Sequence, residues 1–227
     1  MAAAIRPHTQ RKADAPVTNR LLPVLAVALA LAPAAAGLGH AQPAPMPVAG
    51  AADPARIAAG TYRTDPSHTQ IAFKVNHFGF NAYHGILPGG AGTLTIDPAR
   101  PTAATVAIEI PLAGVVTTSE ELNGHLKSAD FFDVAQHPLA RFRSTSVVVD
   151  GLSARISGEL TLRGVTRPVV LDARFTGAGV NPMNQAATIG FEATTAIQRS
   201  EFGVAYALPA VGDRVELTIT AAFEKAQ

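Results

Sequence analysis

The sequence predicts an all-β protein, an antiparallel β-barrel of about eight strands with one inserted helix. Three features carry this prediction. Apolar and polar residues alternate at a period of two in seven separate segments, the mark of strands with one buried face. The links between segments hold turn residues, among them Asp150-Gly151, which can adopt the positive φ angles of a tight hairpin. Only one stretch, near residues 119–129, has helical spacing. Short links make neighbouring strands antiparallel, and closing the sheet removes the exposed edges that an open one would leave.

In chain order, Arg6, Arg11, Lys12 and Arg20 form a positive region, and Leu21 to Leu31 is apolar apart from Pro23. Small residues follow, with Gly39-His40-Ala41 or Ala34-Ala35-Ala36 as cleavage sites. Residues 1–41 are therefore expected to be a signal peptide, since the apolar run falls short of the roughly 20 residues that a membrane span needs. Residues 42–59 are rich in Ala, Pro and Gly with few bulky side chains, and are expected to form a linker. The domain is expected over 60–227.

The alternating segments carry Ile71, Phe73 and Val75; Leu94 and Ile96; Val106, Ile108 and Ile110; Ile156, Leu160 and Leu162; Val169, Leu171, Ala173 and Phe175; Ile189, Phe191, Ala193 and Ile197; and Val215 through Phe223. Gly89-Gly90, Asp97-Pro98, Arg163-Gly164 and Asn181-Pro182 punctuate the joins. Thr117, Thr118 or Ser119 can cap the helix, with Glu120 and Glu121 in its first turn. Leu122, His125, Leu126 and Ala129 share the face expected to lie on the barrel. Pro138 cannot continue a helix, and the chain leaves extended through Leu139, Arg141 and Arg143.

The run HLKSADFFD followed by HPLARFRSTSV resembles the YceI-like family of bacterial periplasmic lipid-binding proteins. So do TYRTDPSHTQIAFKVNHFG upstream and GELTLRGVTRPVVLD and IGFEATTAIQRSEFG downstream, in the same order, over about Gly60 to Lys225. The resemblance implies a lipocalin-like barrel, a periplasmic location, and a long apolar ligand, a polyisoprenoid lipid, held inside.

Composition narrows the alternatives. A formal charge of +1 offers no basic field for nucleic acid, and the absence of cysteine removes disulfide, thiolate and cysteine–zinc chemistry. An outer-membrane barrel would need aromatic girdles, yet aromatics are 6% of residues and Trp is absent. No nucleophile elbow, phosphate loop or dinucleotide fingerprint occurs. His68, His77 and His84 cluster in sequence without an acidic ligand motif, and no metal or cofactor is expected. Glu121 and His125 stand four apart, suited to a helix-stabilising pair. Asp130 or Asp133 is expected to accept backbone N–H groups where the helix ends, while Phe131 and Phe132 pin it.

In a closed barrel the inward side chains are also the wall of any cavity. The candidate ligand-binding residues are Phe73, Val75, Phe78, Phe80, Ile108, Phe131, Phe142, Leu160, Leu171 and Phe191. The expected function is binding and carriage of a hydrophobic small molecule without chemistry on it. The alternatives are an enzyme acting on an isoprenoid or quinone-like substrate, and a filled barrel serving as an interaction module. The oligomeric state stays open, a homodimer included.

Overall fold

The computed structural model describes residues 48–226. The expected signal peptide and the first residues of the expected linker lie outside that range. Ten strands form one sheet: β1 (Gly60–Thr64), β2 (Gln70–His77), β3 (Asn81–Pro88), β4 (Ala91–Ile96), β5 (Thr105–Pro111), β6 (Leu139–Asp150), β7 (Ser153–Leu162), β8 (Val165–Val180), β9 (Ala187–Gln198) and β10 (Val211–Lys225). The single α-helix, α1, spans Glu120–Lys127.

The ring runs β1-β4-β5-β6-β7-β8-β9-β10 and closes through β1 against β10, so eight antiparallel strands make the barrel. The hairpin β2–β3 continues the same wall. Along β10, residues Phe223 to Lys225 pair with β1, and Val211 to Thr220 pair with β2. Strands β1 and β2 are thus two halves of one long stave, as are β4 and β3 beside them. Asp65 breaks the first stave by accepting the Ser67 N–H at 2.9 Å and starting a 3-10 turn. Gly89-Gly90 breaks the second, and the Gly89 N–H donates to the Thr69 carbonyl at 3.0 Å across the two breaks. Sequence periodicity misses β1 and β3 because each is a half-stave, too short or too mixed in polarity to show a clear alternation.

Inward residues are mostly apolar, and the outward face carries the charged side chains together with threonines and a few valines. Cross-strand ion pairs Lys74–Glu216 (3.0 Å) and Arg141–Glu109 (2.9 Å) lie on the outer face. This is the reverse of a membrane barrel, whose apolar band faces out. Among the described residues no helix is long and apolar enough to cross a membrane.

Helix α1 seals one end of the barrel. Its cap is Ser119, whose Oγ accepts the Leu122 N–H at 3.2 Å, with Glu120 and Glu121 in the first turn. The buried face is Asn123 and Leu126, flanked by half-buried Leu122. Asn123 is buried because both ends of its amide are used: Oδ1 accepts the Thr117 N–H at 2.7 Å and Nδ2 donates to Glu120. The expected fourth member of that face, Ala129, lies beyond the helix and is exposed. Ser128, rather than Asp130 or Asp133, bonds to the frayed end, its hydroxyl donating to the His125 carbonyl at 2.7 Å. Asp130 instead meets His125 Nε2 at 2.9 Å, which displaces the expected Glu121–His125 pair, and Asp133 accepts from the Gln136 side chain. A buried core of Leu112 (0% exposed), Phe202 (1%), Ile110, Ala140, Leu162 and Val169 forms at this end, with Phe132, just after the helix, packed against it.

The link from β9 to β10 closes the same end around one buried cation. Arg199 donates to the carbonyls of Gly212, Val204, Tyr206 and Val211 at 2.8 to 2.9 Å, so its charge is dispersed over four backbone dipoles. Asp213 sits beside it and accepts the Ser200 N–H at 2.8 Å and the Ser200 hydroxyl at 2.7 Å. Burial works against ionising Asp213, but the Ser200 hydrogen bonds and the Arg199 charge outweigh it and hold its carboxyl below the usual range. A carboxylate whose folded pKa is depressed adds stability above its unfolded pKa and loses it as pH falls. Stability is therefore expected to decline from about pH 4 downward. Asp213→Asn is expected to flatten part of that decline and to cost about 1–2 kcal/mol at neutral pH. Thermal melts of both proteins from neutral to acid pH measure this; identical acid limbs would contradict it.

Candidate functional site

Between the α1 end and the opposite end the barrel holds an apolar cavity of about 320 Å³. It separates two buried clusters. The one under α1 is described above; the other gathers Tyr62, Leu94, Phe175, Ala178, Ile189 and Phe223 near the far end. The space exists because of what faces it at one level of three neighbouring strands. Ala154 of β7 pairs with Ala173 of β8, which pairs with Ala193 of β9. All three line the cavity, and a belt of methyl groups cannot reach across a barrel of eight strands. Larger side chains around them, including Val106, Ile108, Leu171, Phe191, Leu217 and Ile219, point inward yet are only half-buried, because they border this space and not another side chain.

Four of the lining side chains are polar: Thr69, Ser153, Glu192 and Thr195. Thr69 and Thr195 donate their hydroxyls to the carbonyls of Ala222 (3.4 Å) and Val170 (2.8 Å), and Ser153 and Glu192 are exposed. Nothing in the wall is arranged as nucleophile, general base or metal ligand set.

Of the residues singled out from sequence, Ile108, Phe142, Leu160, Leu171 and Phe191 line the cavity. Five others lie elsewhere. Phe73 and Val75 stand on the inward face of β2 but nearer the sealed end, and the Phe73 ring covers Gly85, where a Cβ would come within 2.2 Å of it. Phe78 (51% exposed) and Phe80 (89%) form the tip of the β2–β3 hairpin and point to solvent. Phe131 is outside the barrel, stacked edge-on against His125 at 5.0 Å and beside Tyr206 at 5.3 Å. Aromatic crowding in the sequence marks a turn here, because a period of two cannot continue through the hairpin. The three candidate histidines also part company: His68 meets Asp65 at 2.6 Å, His77 stacks on Phe78, and His84 is exposed.

Val147 and Val149 line the cavity although counting by two from Phe142 puts Val148 inside. A register shift in β6 between Ser144 and Ser146 inverts the parity. The Ser144 hydroxyl, which accepts the Val106 N–H at 2.8 Å, is the one local sign of it.

The end away from α1 is covered by chain from the region that composition marks as linker. Ala51 and Ala178 exchange two backbone hydrogen bonds, at 3.1 and 2.8 Å. Asp53 then accepts the Ala55 N–H at 2.9 Å and starts a 3-10 turn over Pro54–Arg56. Pro54 and Ile57 reach the cavity there, together with Pro98, Pro101 and Leu152. Tyr62 (1% exposed) fastens the strap by donating its hydroxyl to the Ala58 carbonyl at 2.7 Å. Burial pushes the Tyr62 phenol above its ordinary value, against the pull of that hydrogen bond, so it stays a donor throughout the neutral range. The strap lies flat because Gly179 carries no side chain: a Cβ there would fall 2.2 Å from the Ala49 carbonyl oxygen.

These features define a closed antiparallel barrel with an apolar internal cavity. A family model, the YceI-like domain, matches residues 62–223. The chain belongs to that YceI-like family. It is 37% identical to Protein YceI of Escherichia coli O157:H7 over 164 residues, 71% of this chain and 85% of that protein. Solved structures share the fold. BcnA of Burkholderia cenocepacia superposes with a TM-score of 0.63 at 20% identity, over 70% of this chain and 98% of its own. A polyisoprenoid-binding domain from Saccharophagus degradans gives 0.55 at 16% identity, over 74% of this chain and 100% of its own.

Gly179→Val is expected to lift the strap while leaving the barrel closed. Hydrogen exchange should speed up at Ala51 and Ala178, with the melting transition lowered by no more than about 1–2 kcal/mol. Unchanged protection of Ala51 would mean that the strap is held by other contacts.

Proposed function

We propose that this protein is a periplasmic carrier that sequesters an apolar small molecule of the isoprenoid kind inside its barrel and does not transform it. One observation carries the reading: a cavity of about 320 Å³ inside the barrel whose wall is apolar almost throughout. Moving a CH₂ group from water into such a space is worth about 0.8 kcal/mol, so affinity comes from burial alone and needs no directed polar contact. Part of that gain goes to ordering the ligand. The cavity disfavours the filled-barrel alternative. An enzyme would need a perturbed titratable group facing the space, and the one ionisable residue in the wall, Glu192, is exposed. The isoprenoid assignment is supported by the name of the S. degradans neighbour, and the periplasmic location by the charged and apolar leader within residues 1–41.

The test is a charge placed on either face of one strand. Ile219 lines the cavity, and its neighbour Thr218 points outward and is exposed. Ile219→Glu must leave a carboxylate desolvated or exclude the ligand, weakening binding by several kcal/mol, whereas Thr218→Glu should change it little. Native mass spectrometry and lipid extraction from protein purified from its own host read the outcome, with circular dichroism confirming the fold. Carriage requires bound lipid in the parent and in Thr218→Glu, and its loss from folded Ile219→Glu. A folded parent that neither retains nor takes up any apolar molecule would refute it.

A further inference from the structure

We infer that the β2–β3 tip and the loop before β10 form one surface that seats in the interface of a lipid bilayer, an inference that rests in part on the carrier reading. In the tip, Phe78 (φ 54°) and Gly79 (φ 73°) both take left-handed backbone angles, and the Gly79 N–H donates to Asn76 Oδ1 at 2.8 Å. The loop from Val204 to Ala210 stands beside it, because the Phe78 N–H donates to the Ala210 carbonyl at 2.8 Å. Tyr206 (49% exposed) extends the surface to Phe131, at 5.3 Å between ring centroids.

A turn with two left-handed residues favours Asn, Asp or Gly at the first of them, and a bulky side chain there is strained. Phe78 occupies that position nonetheless, and it is 51% exposed beside Phe80 at 89%. Neither ring joins either buried cluster of the barrel. The strain is thus carried to display the rings and not to pack them.

Charge selects what they are displayed to. The hairpin from Gln70 to Pro88 contains no Asp or Glu, and Phe202 to Gly212 contains no charged residue. Lys74, farther down the hairpin, is paired with Glu216, and Asp130, which reaches Tyr206 through His125, is paired with that imidazole. Aromatic rings on uncharged loops suit the bilayer interface, where such rings concentrate. A stable protein interface takes about 20–30 residues a side, and Phe78 to Asn81 with Ala205 to Ala210 are together fewer than half that number.

On the carrier reading the cargo dissolves in bilayers and is collected from one. The barrel wall is thin on this side. Pairing of β8 with β9 stops at Asp172 and Thr194, leaving the Thr195 hydroxyl to span the split by donating to the Val170 carbonyl at 2.8 Å. Val169 and Thr195 line both the cavity and an open groove that reaches Phe202, where the loop begins.

Protein collected after export is mixed with vesicles of phosphatidylethanolamine and phosphatidylglycerol and floated on a sucrose gradient. The parent is expected to float with the vesicles. Phe78→Asn/Phe80→Ser should do so about tenfold less while melting no lower than the parent, because Asn suits the turn. Met183→Ser removes a side chain 83% exposed in the β8–β9 turn, at the strapped end, and should leave flotation unchanged. The chain has no Trp, so Phe80→Trp supplies a single reporter whose emission should shift to the blue on docking and be quenched by brominated lipid. A parent that does not float, equal flotation of the tip variant, or a folded Phe80→Trp whose emission ignores vesicles overturns the inference. So does a parent that self-associates without lipid while Phe78→Asn/Phe80→Ser stays monomeric, since the surface would then belong to a second copy. Uptake of N-phenyl-1-naphthylamine without vesicles reads the carrier function separately. Its failure in a protein that floats overturns the carrier reading and leaves docking standing, and its persistence in a protein that does not float overturns docking alone.

Discussion

Closure of the backbone hydrogen-bond ring through β1 is the constraint on which the rest of this structure depends. The strand has five residues, Gly60 to Thr64, and pairs with β10 on one side and β4 on the other. Without it both neighbours would present unpaired N–H and C=O groups, and an open sheet of this size would expose its apolar face. The same short strand buries Tyr62 in the far cluster and uses the Tyr62 hydroxyl to hold the strap. Ring closure and cavity closure are therefore mechanically linked at one residue.

Once the ring is closed, the interior is decided by side-chain size at each level. Leu112, Phe202 and Ile110 pack into a buried cluster at the α1 end. At the level of Ala154, Ala173 and Ala193 three adjacent strands present only methyl groups, which are too small to reach the opposite wall. A void with apolar walls stays dry and lacks dispersion contacts, so its lining gains when an apolar molecule supplies them. Stability and ligand affinity thus draw on the same surface, and the large half-buried residues of β5, β8 and β10 serve both.

The alternation of seven segments, a helix with Ser119 among its three possible caps and the Asp150-Gly151 turn were all legible in the sequence, and five of the ten residues singled out lie in the cavity wall. These are local properties, set by a period of two or of 3.6 and by residues with restricted backbone angles. Ile108, Leu160 and Leu171 could be placed because each sits in an uninterrupted alternating run. Phe78 and Phe80 could not, because aromatic content says nothing about which side of a hairpin tip faces out. Asp130 found His125 and not a backbone N–H, since the choice among partners depends on how the chain turns after the helix.

What the sequence by itself determined was the class of fold and its inside face, because the buried face of a strand is written into every second residue. What only the tertiary structure decided was where that face is interrupted and what covers its ends. The register shift in β6 moves Val147 and Val149 to the wall through the pairing of β6 with β7, which no single strand specifies. The strap is held to the barrel by main-chain hydrogen bonds between Ala51 and Ala178, and such bonds leave no mark on side-chain composition, so a segment poor in bulky residues could still cover the mouth of the cavity.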